Sequence, residues 1–229
     1  MRTLVIVSHP DIQGSGSQQF LKESLPTTSD VTFHHLEARY PDGVIDIRAE
    51  QMLLREHDRI IFQFPFYWYS SPAMLKQWQD EVLTESFAFG SFGKALAGKS
   101  FGLVVVIGNR ESEYQAGGRE GYSFSSLTLP FQAMANKVGM QFLKPLGIFQ
   151  FQYMDEAAKQ QLLIRYQQYL VLADIDSLKE REEWLMQALA ATSLTTLPEG
   201  SEFIIQEAIE QISQARMELD ELHLYLEGM

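Results

Sequence analysis

Apolar residues in this chain alternate between two kinds of pattern. Compact runs, "TLVIV" at 3–7, "RIIFQF" at 59–64 and "FGLVVVI" at 101–107, are rich in β-branched and aromatic residues and do not alternate strictly with polar ones. Such runs suit strands buried on both faces, as in a parallel sheet. Between them lie longer segments whose apolar residues recur three and four positions apart, the spacing of a helix with one buried face.

Taken in order, the pattern predicts a strand at 2–7 and a helix from about Ser15, with hydroxyls at its start and Phe20, Leu21 and Leu25 on its apolar face. A second strand follows at 31–36, a helix at 46–57 and a third strand at 58–64. Pro72 then suits the first turn of a helix whose core face is Leu75, Trp78 and Val82. A fourth strand at 99–108, a helical stretch at 123–139, a fifth strand at 140–151 and a helix at 155–173 complete the series. Strands alternating with helices indicate an α/β domain with right-handed crossovers. Five strands point to the flavodoxin-like order 2-1-3-4-5, and the expected division is a domain at 1–175 with a helical extension at 176–229.

That topology locates a site before any motif is considered. Ligands of open parallel sheets bind beyond the carboxyl ends of the strands, near the switch point, here between the first and third strands. The loops there are "SHPDIQGSGS", "PFYWYSS" and "GNRESEYQAGG". In the first, Ser15, Ser17 and Gln18 open a helix whose free N–H groups can hold a phosphate; the same serines also serve as ordinary helix caps. His9 can face such a phosphate or simply belong to a His-Pro turn. In the second, Pro65 ends the strand, so Phe66, Tyr67, Trp68 and Tyr69 fall in a loop, where large rings need a partner surface. A planar ring system or another subunit would provide one. In the third, Gly108, Gly117 and Gly118 surround Tyr114 and allow close backbone approach.

Composition narrows the chemistry. There is no cysteine, which removes disulfides and thiolate catalysis and fits a reducing compartment. The net charge of -12 argues against nonspecific binding to nucleic acid or anionic membrane, and no apolar run approaches the roughly 18 residues of a spanning helix. A cytoplasmic protein without membrane insertion is expected. From Asp176 onward there are 12 acidic and 3 basic residues, so the extension carries most of that charge. Within it Ile205, Ala208, Ile212, Ala215, Leu219, Leu222 and Leu226 form a seam suited to packing on another helix, which serves either docking on the chain's own domain or dimerisation.

Two further patterns are set aside. "GKALAGKS" at 93–100 satisfies the phosphate-binding pattern G-x-x-x-x-G-K-[ST], but a strand follows it where a helix is required. His34 and His35 are neighbours on a strand and point to opposite faces, so no metal site is expected from them.

The segments "VSHP" with Ser15 and Gln18, "FQFPFYWYSSPAMLKQWQDEVL", "LAGK", "GNRESEYQAGGREGY" and "LPFQAMANKVGMQFLKP" together resemble the flavodoxin-like NAD(P)H:quinone oxidoreductases. The branch that looks most similar contains bacterial drug-activity modulators and the ancillary oxidoreductases of glutathione-gated potassium efflux. The resemblance covers the chain to about residue 172. It implies a flavin, FMN or FAD, with its phosphate on the first loop near His9, Ser15, Ser17 and Gln18; the short first loop and the lack of an evident adenosine subsite favour FMN. The ring would rest on Pro65, Phe66, Tyr67, Trp68 and Tyr69, bordered by Ile107, Gly108 and Asn109, with Tyr114 at its carbonyl edge as the catalytic donor. NAD(P)H would be the electron donor and a quinone or other planar electrophile the acceptor, in turn at one pocket. A homodimer with its active site at the interface is implied as well.

This chain departs from that family in several places. "VIGNR" replaces the family's Thr and paired glycines, so Ile107 supplies no hydroxyl and Asn109 stands for a glycine. No histidine stands around Glu120, where some members carry one. The acidic extension has no counterpart in the resemblance. Two other readings therefore stand beside the enzyme: a flavin-binding regulatory subunit of a transporter or other partner, and a flavodoxin-like protein that has lost its cofactor.

Overall fold

The structure is a computed structural model that describes residues 1–26, 30–192, 198 and 200–227. The chain divides into two compact units, Met1–Val171 and Leu172–Met229.

The first unit runs β1 (Thr3–Val7), α1 (Gly16–Glu23), β2 (Val31–His35), α2 (Leu36–Arg39), α3 (Ile47–Glu56), β3 (Arg59–Pro65), α4 (Ala73–Val82) and β4 (Ser100–Ile107), then α5 (Phe124–Leu127), α6 (Leu129–Val138), β5 (Gln141–Phe142), β6 (Leu146–Phe149) and α7 (Glu156–Val171). All its strand pairings are parallel, in the order β2-β1-β3-β4-β5, with β6 also paired to β4. The expected flavodoxin-like sheet is present.

The short helix α2 stands where the sequence expectation had only the end of a strand and a loop, and a proline accounts for each of two further differences. The fifth strand is split, because Pro145 between β5 and β6 has no N–H for the ladder. The helix at 123–139 is broken at Thr128, which ends α5 and caps α6, and Pro130 occupies the first turn of the restarted helix. Gly139 closes α6 at φ 77°, a conformation only glycine adopts at little cost.

β1 and β3 are buried along their whole length. On one face Phe62 meets Trp78, Phe101 and Phe131 edge-on, at centroid distances of 5.5, 4.8 and 6.5 Å. Leu75, Trp78 and Val82 are the buried face of α4, as their spacing indicates. On the helices α1 and α7, Leu21, Leu162, Tyr166 and Tyr169 are buried, and Tyr169 Oη accepts from the Leu103 N–H of β4 at 3.1 Å. Gly102 makes room there: a Cβ would lie 2.4 Å from Tyr169 Oη.

Glu50, 2% exposed, ties several elements together. Its carboxylate accepts from His34 Nε2 on β2 (2.9 Å), Tyr40 Oη after α2 (2.5 Å) and Trp78 Nε1 on α4 (2.8 Å). His35 instead meets the His9 carbonyl at 2.9 Å, so the two histidines have separate partners. The "GKALAGKS" segment leads into β4 at Ser100, the strand order anticipated from sequence.

In the second unit α8 (Leu178–Ala190) and α9 (Ser201–Glu227) pack on each other, joined by an ion pair between Arg216 and Glu182. Ile205, Ala208, Ile212 and Leu219 of the seam are half-buried, whereas Ala215, Leu222 and Leu226 are exposed. Among the described residues no helix is long and apolar enough to cross a membrane.

Candidate functional site

Parallel pairing brings the ends of β1, β3 and β4 side by side. Ser8 N–H donates to the Gln63 carbonyl at 3.0 Å, and Phe66 N–H donates to the Val106 carbonyl at 2.9 Å. The three loops singled out from sequence therefore leave the sheet from one edge.

The first loop is drawn tight before α1. Asp11 Oδ1 accepts from Gly14 N–H at 2.9 Å, and Ser15 Oγ accepts from Gln18 N–H at 3.4 Å, so Ser15 is the N-cap. Ser17 Oγ lies 3.2 Å from Ser15 Oγ. The N–H groups of Gly16 and Ser17 have no acceptor among the described residues, as expected of a first helical turn. Gln18 Nε2 is buried and likewise has no acceptor among them. Three donors without acceptors at a helix N-terminus suit an anion such as a phosphate. His9 Nδ1 accepts from Asp11 N–H at 3.1 Å, which places the ring hydrogen on Nε2 in the neutral form. Burial lowers its pKa, against the raising influence of Glu37 and Asp11.

The second loop is a tight reversal. Tyr67 and Ser70 exchange both backbone hydrogen bonds at 3.0 Å, with Trp68 and Tyr69 at φ 46° and 62° between them. Positive φ at two successive bulky residues is rare and strained, a feature that clusters at functional sites. It thrusts Trp68 outward to 93% exposure and leaves Tyr67 and Tyr69 about half exposed. Phe66 turns inward, edge-on to Tyr69 at 6.3 Å and 6.4 Å from the Tyr114 ring.

The third loop begins as β4 ends. Ile107 is 2% exposed and belongs to the core, so its side chain serves packing. A Cβ built on Gly108 would meet nothing within 4 Å, so open space lies over that backbone. At Gly118 a Cβ would lie 2.3 Å from the Glu113 carbonyl oxygen, so the turn around Tyr114 requires glycine. Asn109 Nδ2 and Tyr69 Oη both donate to Glu120, at 2.7 and 2.8 Å, which joins the second and third loops. Tyr114 is nearly buried; burial and then the Glu120 charge raise its phenol, opposed by Asn109, so it is a neutral donor near neutral pH.

Pro65, Phe66, Tyr69, Gly108, Asn109 and Tyr114 thus lie together, and His9, Ser15, Ser17 and Gln18 lie on the neighbouring loop. Sequence reasoning missed Glu120 as the link between loops, and it missed Phe124 and Phe149, whose rings pack on Phe66 and Tyr114 respectively. Clefts of 650, 360 and 470 Å³ flank the first, second and third loops respectively.

Residues 1–170 match the sequence profile described as flavodoxin-like fold. The chain belongs to this flavodoxin-like family. A Bacillus subtilis relative named as an uncharacterized NAD(P)H oxidoreductase, YdeQ, is 40% identical over 195 residues, 85% of this chain and 98% of that protein. That alignment exceeds the 171 residues of the first unit, so it includes part of the acidic extension, which the sequence reading left without a counterpart. An NADPH-quinone reductase of known structure from P. pentosaceus is 44% identical, with a TM-score of 0.72 over 76% of this chain and all of that one. A general stress protein 14 from Treponema denticola, solved in complex with FMN, is 36% identical, with a TM-score of 0.68 over 74% of this chain and 98% of that one.

Proposed function

We propose that this flavodoxin-like protein is a flavin-dependent NAD(P)H:quinone oxidoreductase that binds FMN across the loops that follow β1, β3 and β4. The observation that carries the proposal is the set of donors without acceptors on the first loop, Gly16 N–H, Ser17 N–H and buried Gln18 Nε2, beside an aromatic loop and open space over Gly108. Those donors would hold the phosphate, with Ser15 and Ser17 hydroxyls and His9 Nε2 adding to them. Pro65, Phe66, Tyr67 and Tyr69 would support the ring, with Trp68 projecting outward from the same loop, and the backbone of Ile107, Gly108 and Asn109 would border it. The relatives named as NAD(P)H oxidoreductase and NADPH-quinone reductase, and the neighbour holding FMN, support this reading.

A bound flavin would supply the two-electron redox chemistry between NAD(P)H and a quinone or other planar electrophile, the two using the pocket in turn. The chain's own task is binding, orientation and proton supply. Tyr114, kept protonated by burial and by Glu120, donates a hydrogen bond where negative charge develops on an oxygen. Glu120 orients Asn109 and Tyr69.

The aromatic rim supports a homodimer. Trp68 at 93% exposure, on the same loop as the half-exposed Tyr67 and Tyr69, presents more ring surface than an isolated rim normally leaves to water. A second copy covering it would complete each active site. In this reading residues 1–175 are the flavin-binding domain, 176–229 an appendage, and the protein works in the cytoplasm, where NAD(P)H is at hand.

The test is the visible spectrum of the purified protein, followed by anaerobic addition of NADH or NADPH and then a quinone. Flavin bands that bleach with the nicotinamide and return with the quinone support the proposal. A colourless protein that cannot be reconstituted with FMN or FAD overturns it and leaves the reading of a lost cofactor.

A further inference from the structure

A line of buried polar side chains runs from the first turn of α1 through the middle of the sheet to α7. Gln18, Gln63 and Tyr166 are all fully buried. Tyr166 Oη donates to Gln63 Oε1 at 2.7 Å, and Gln63 Nε2 donates to Gln18 Oε1 at 2.8 Å. Gln18 Nε2 is left at the free end with no acceptor among the described residues.

Two amides in contact can point either way along such a line, because exchanging oxygen and nitrogen in both leaves the heavy atoms in place. The phenol breaks the tie. Burial raises the pKa of Tyr166, so its O–H stays protonated and needs an acceptor, and Gln63 Oε1 is the acceptor it has. With both amides reversed, Gln63 would present NH2 to the phenol oxygen, and the Tyr166 hydrogen would lose its acceptor inside the core. The reversal would also put Gln18 Oε1, not Nε2, at the free end. A carbonyl oxygen there would repel an anion at the start of α1, whereas NH2 attracts it.

We propose that Tyr166 is a positioning residue for phosphate recognition, which acts through Gln63 to turn the Gln18 amide so that its NH2 faces the anion held at the α1 N-terminus. The proposal rests on the flavin reading above and deepens it: an element remote from the three loops, α7, sets the polarity of one of the phosphate's donors. Gln18 lies 45 residues from Gln63, which lies 103 residues from Tyr166, so only the assembled sheet creates the line.

The test separates the phosphate from the rest of the flavin. Dissociation constants for FMN and for riboflavin, which has the same ring and no phosphate, are measured by flavin fluorescence on the full-length apoprotein, with Tyr166→Phe and Gln18→Leu alongside. Both variants are expected to bind FMN about tenfold more weakly and riboflavin with unchanged affinity, the loss of one hydrogen bond to a charged group. Equal weakening for both flavins, or unchanged FMN affinity in Tyr166→Phe, overturns the proposal. A wild-type protein that binds neither flavin fails earlier and overturns the flavin reading itself. Should Tyr166→Phe not fold, the side-chain NH2 resonances of Gln18 in the wild-type protein decide: they are expected to shift with FMN and not with riboflavin, and identical responses to both reject the idea.

Discussion

Replacing Glu50 with alanine removes an acceptor that three buried or half-buried donors share, and the cost follows from their geometry. His34 Nε2, Tyr40 Oη and Trp78 Nε1 lie 2.9, 2.5 and 2.8 Å from its carboxylate, which is 2% exposed. Without Glu50 each donor loses its partner, and the side-chain space must collapse or fill with water. Breaking a buried charged network by removing one member costs about 3–5 kcal/mol. For a unit of this size that corresponds to a melting temperature lower by roughly 10 °C.

The effect has a signed pH dependence. Burial pushes the Glu50 carboxyl up, but hydrogen bonding from His34, the His34 charge and the Tyr40 and Trp78 hydrogen bonds outweigh it, so its pKa lies below the ordinary 4.5. A carboxyl with a depressed folded pKa contributes stability that is fully present above its unfolded pKa and is lost as pH falls through the folded value. The difference in melting temperature between wild type and Glu50→Ala should therefore be largest near neutral pH and shrink below about 4.5, the ordinary glutamate value. Thermal unfolding followed by circular dichroism across that range is the assay. A loss under about 1 kcal/mol at neutral pH, far short of the cost of a broken buried network, would refute the reasoning. So would a gap that does not change with acidity. Trp78 lies on α4, the helix that follows the aromatic loop, so weaker flavin binding should accompany the destabilisation.

Other expectations test the site and the core. Tyr114→Phe should slow turnover about a hundredfold, the scale of losing one preorganised donor, while the protein still binds flavin; unchanged rates in both half-reactions would remove Tyr114 from the chemistry. Glu120→Gln takes away the charge that helps raise Tyr114 and Tyr69, so both phenols should titrate at lower pH in an ultraviolet titration, and an unshifted curve would count against the geometry. Gly102→Ala should cost about 1–3 kcal/mol through overpacking, since its Cβ would lie 2.4 Å from Tyr169 Oη. Tyr169→Phe in the same chain should recover part of that loss in denaturant unfolding, and strict additivity of the two substitutions would exclude the contact.

Much of this protein is decided by local pattern. The runs "TLVIV" and "RIIFQF" are apolar on both faces, so they had to be interior strands, and alternation with amphipathic helices left a parallel sheet whose order the pairings bear out. Pro65 marks the end of β3 by its own chemistry, which put the aromatic cluster in a loop at the edge where open parallel sheets generally take ligands. Prolines 130 and 145 carried the same kind of signal for the breaks at Thr128 and between β5 and β6, but helical and strand periodicity ran past them and concealed it.

Other features exist only once distant segments meet. Nothing near Glu50 in the sequence marks it as the acceptor for His34, Tyr40 and Trp78, and nothing near Gln63 points to Gln18 on one side and Tyr166 on the other. Glu120 reads as one more charge in an acidic chain until Asn109 and Tyr69 are folded against it. Periodicity records which way a residue faces, because that depends on its immediate neighbours along the backbone. Which buried polar group meets which depends on sheet register and helix packing, so the hydrogen-bond partners that orient this site were settled by the tertiary structure alone.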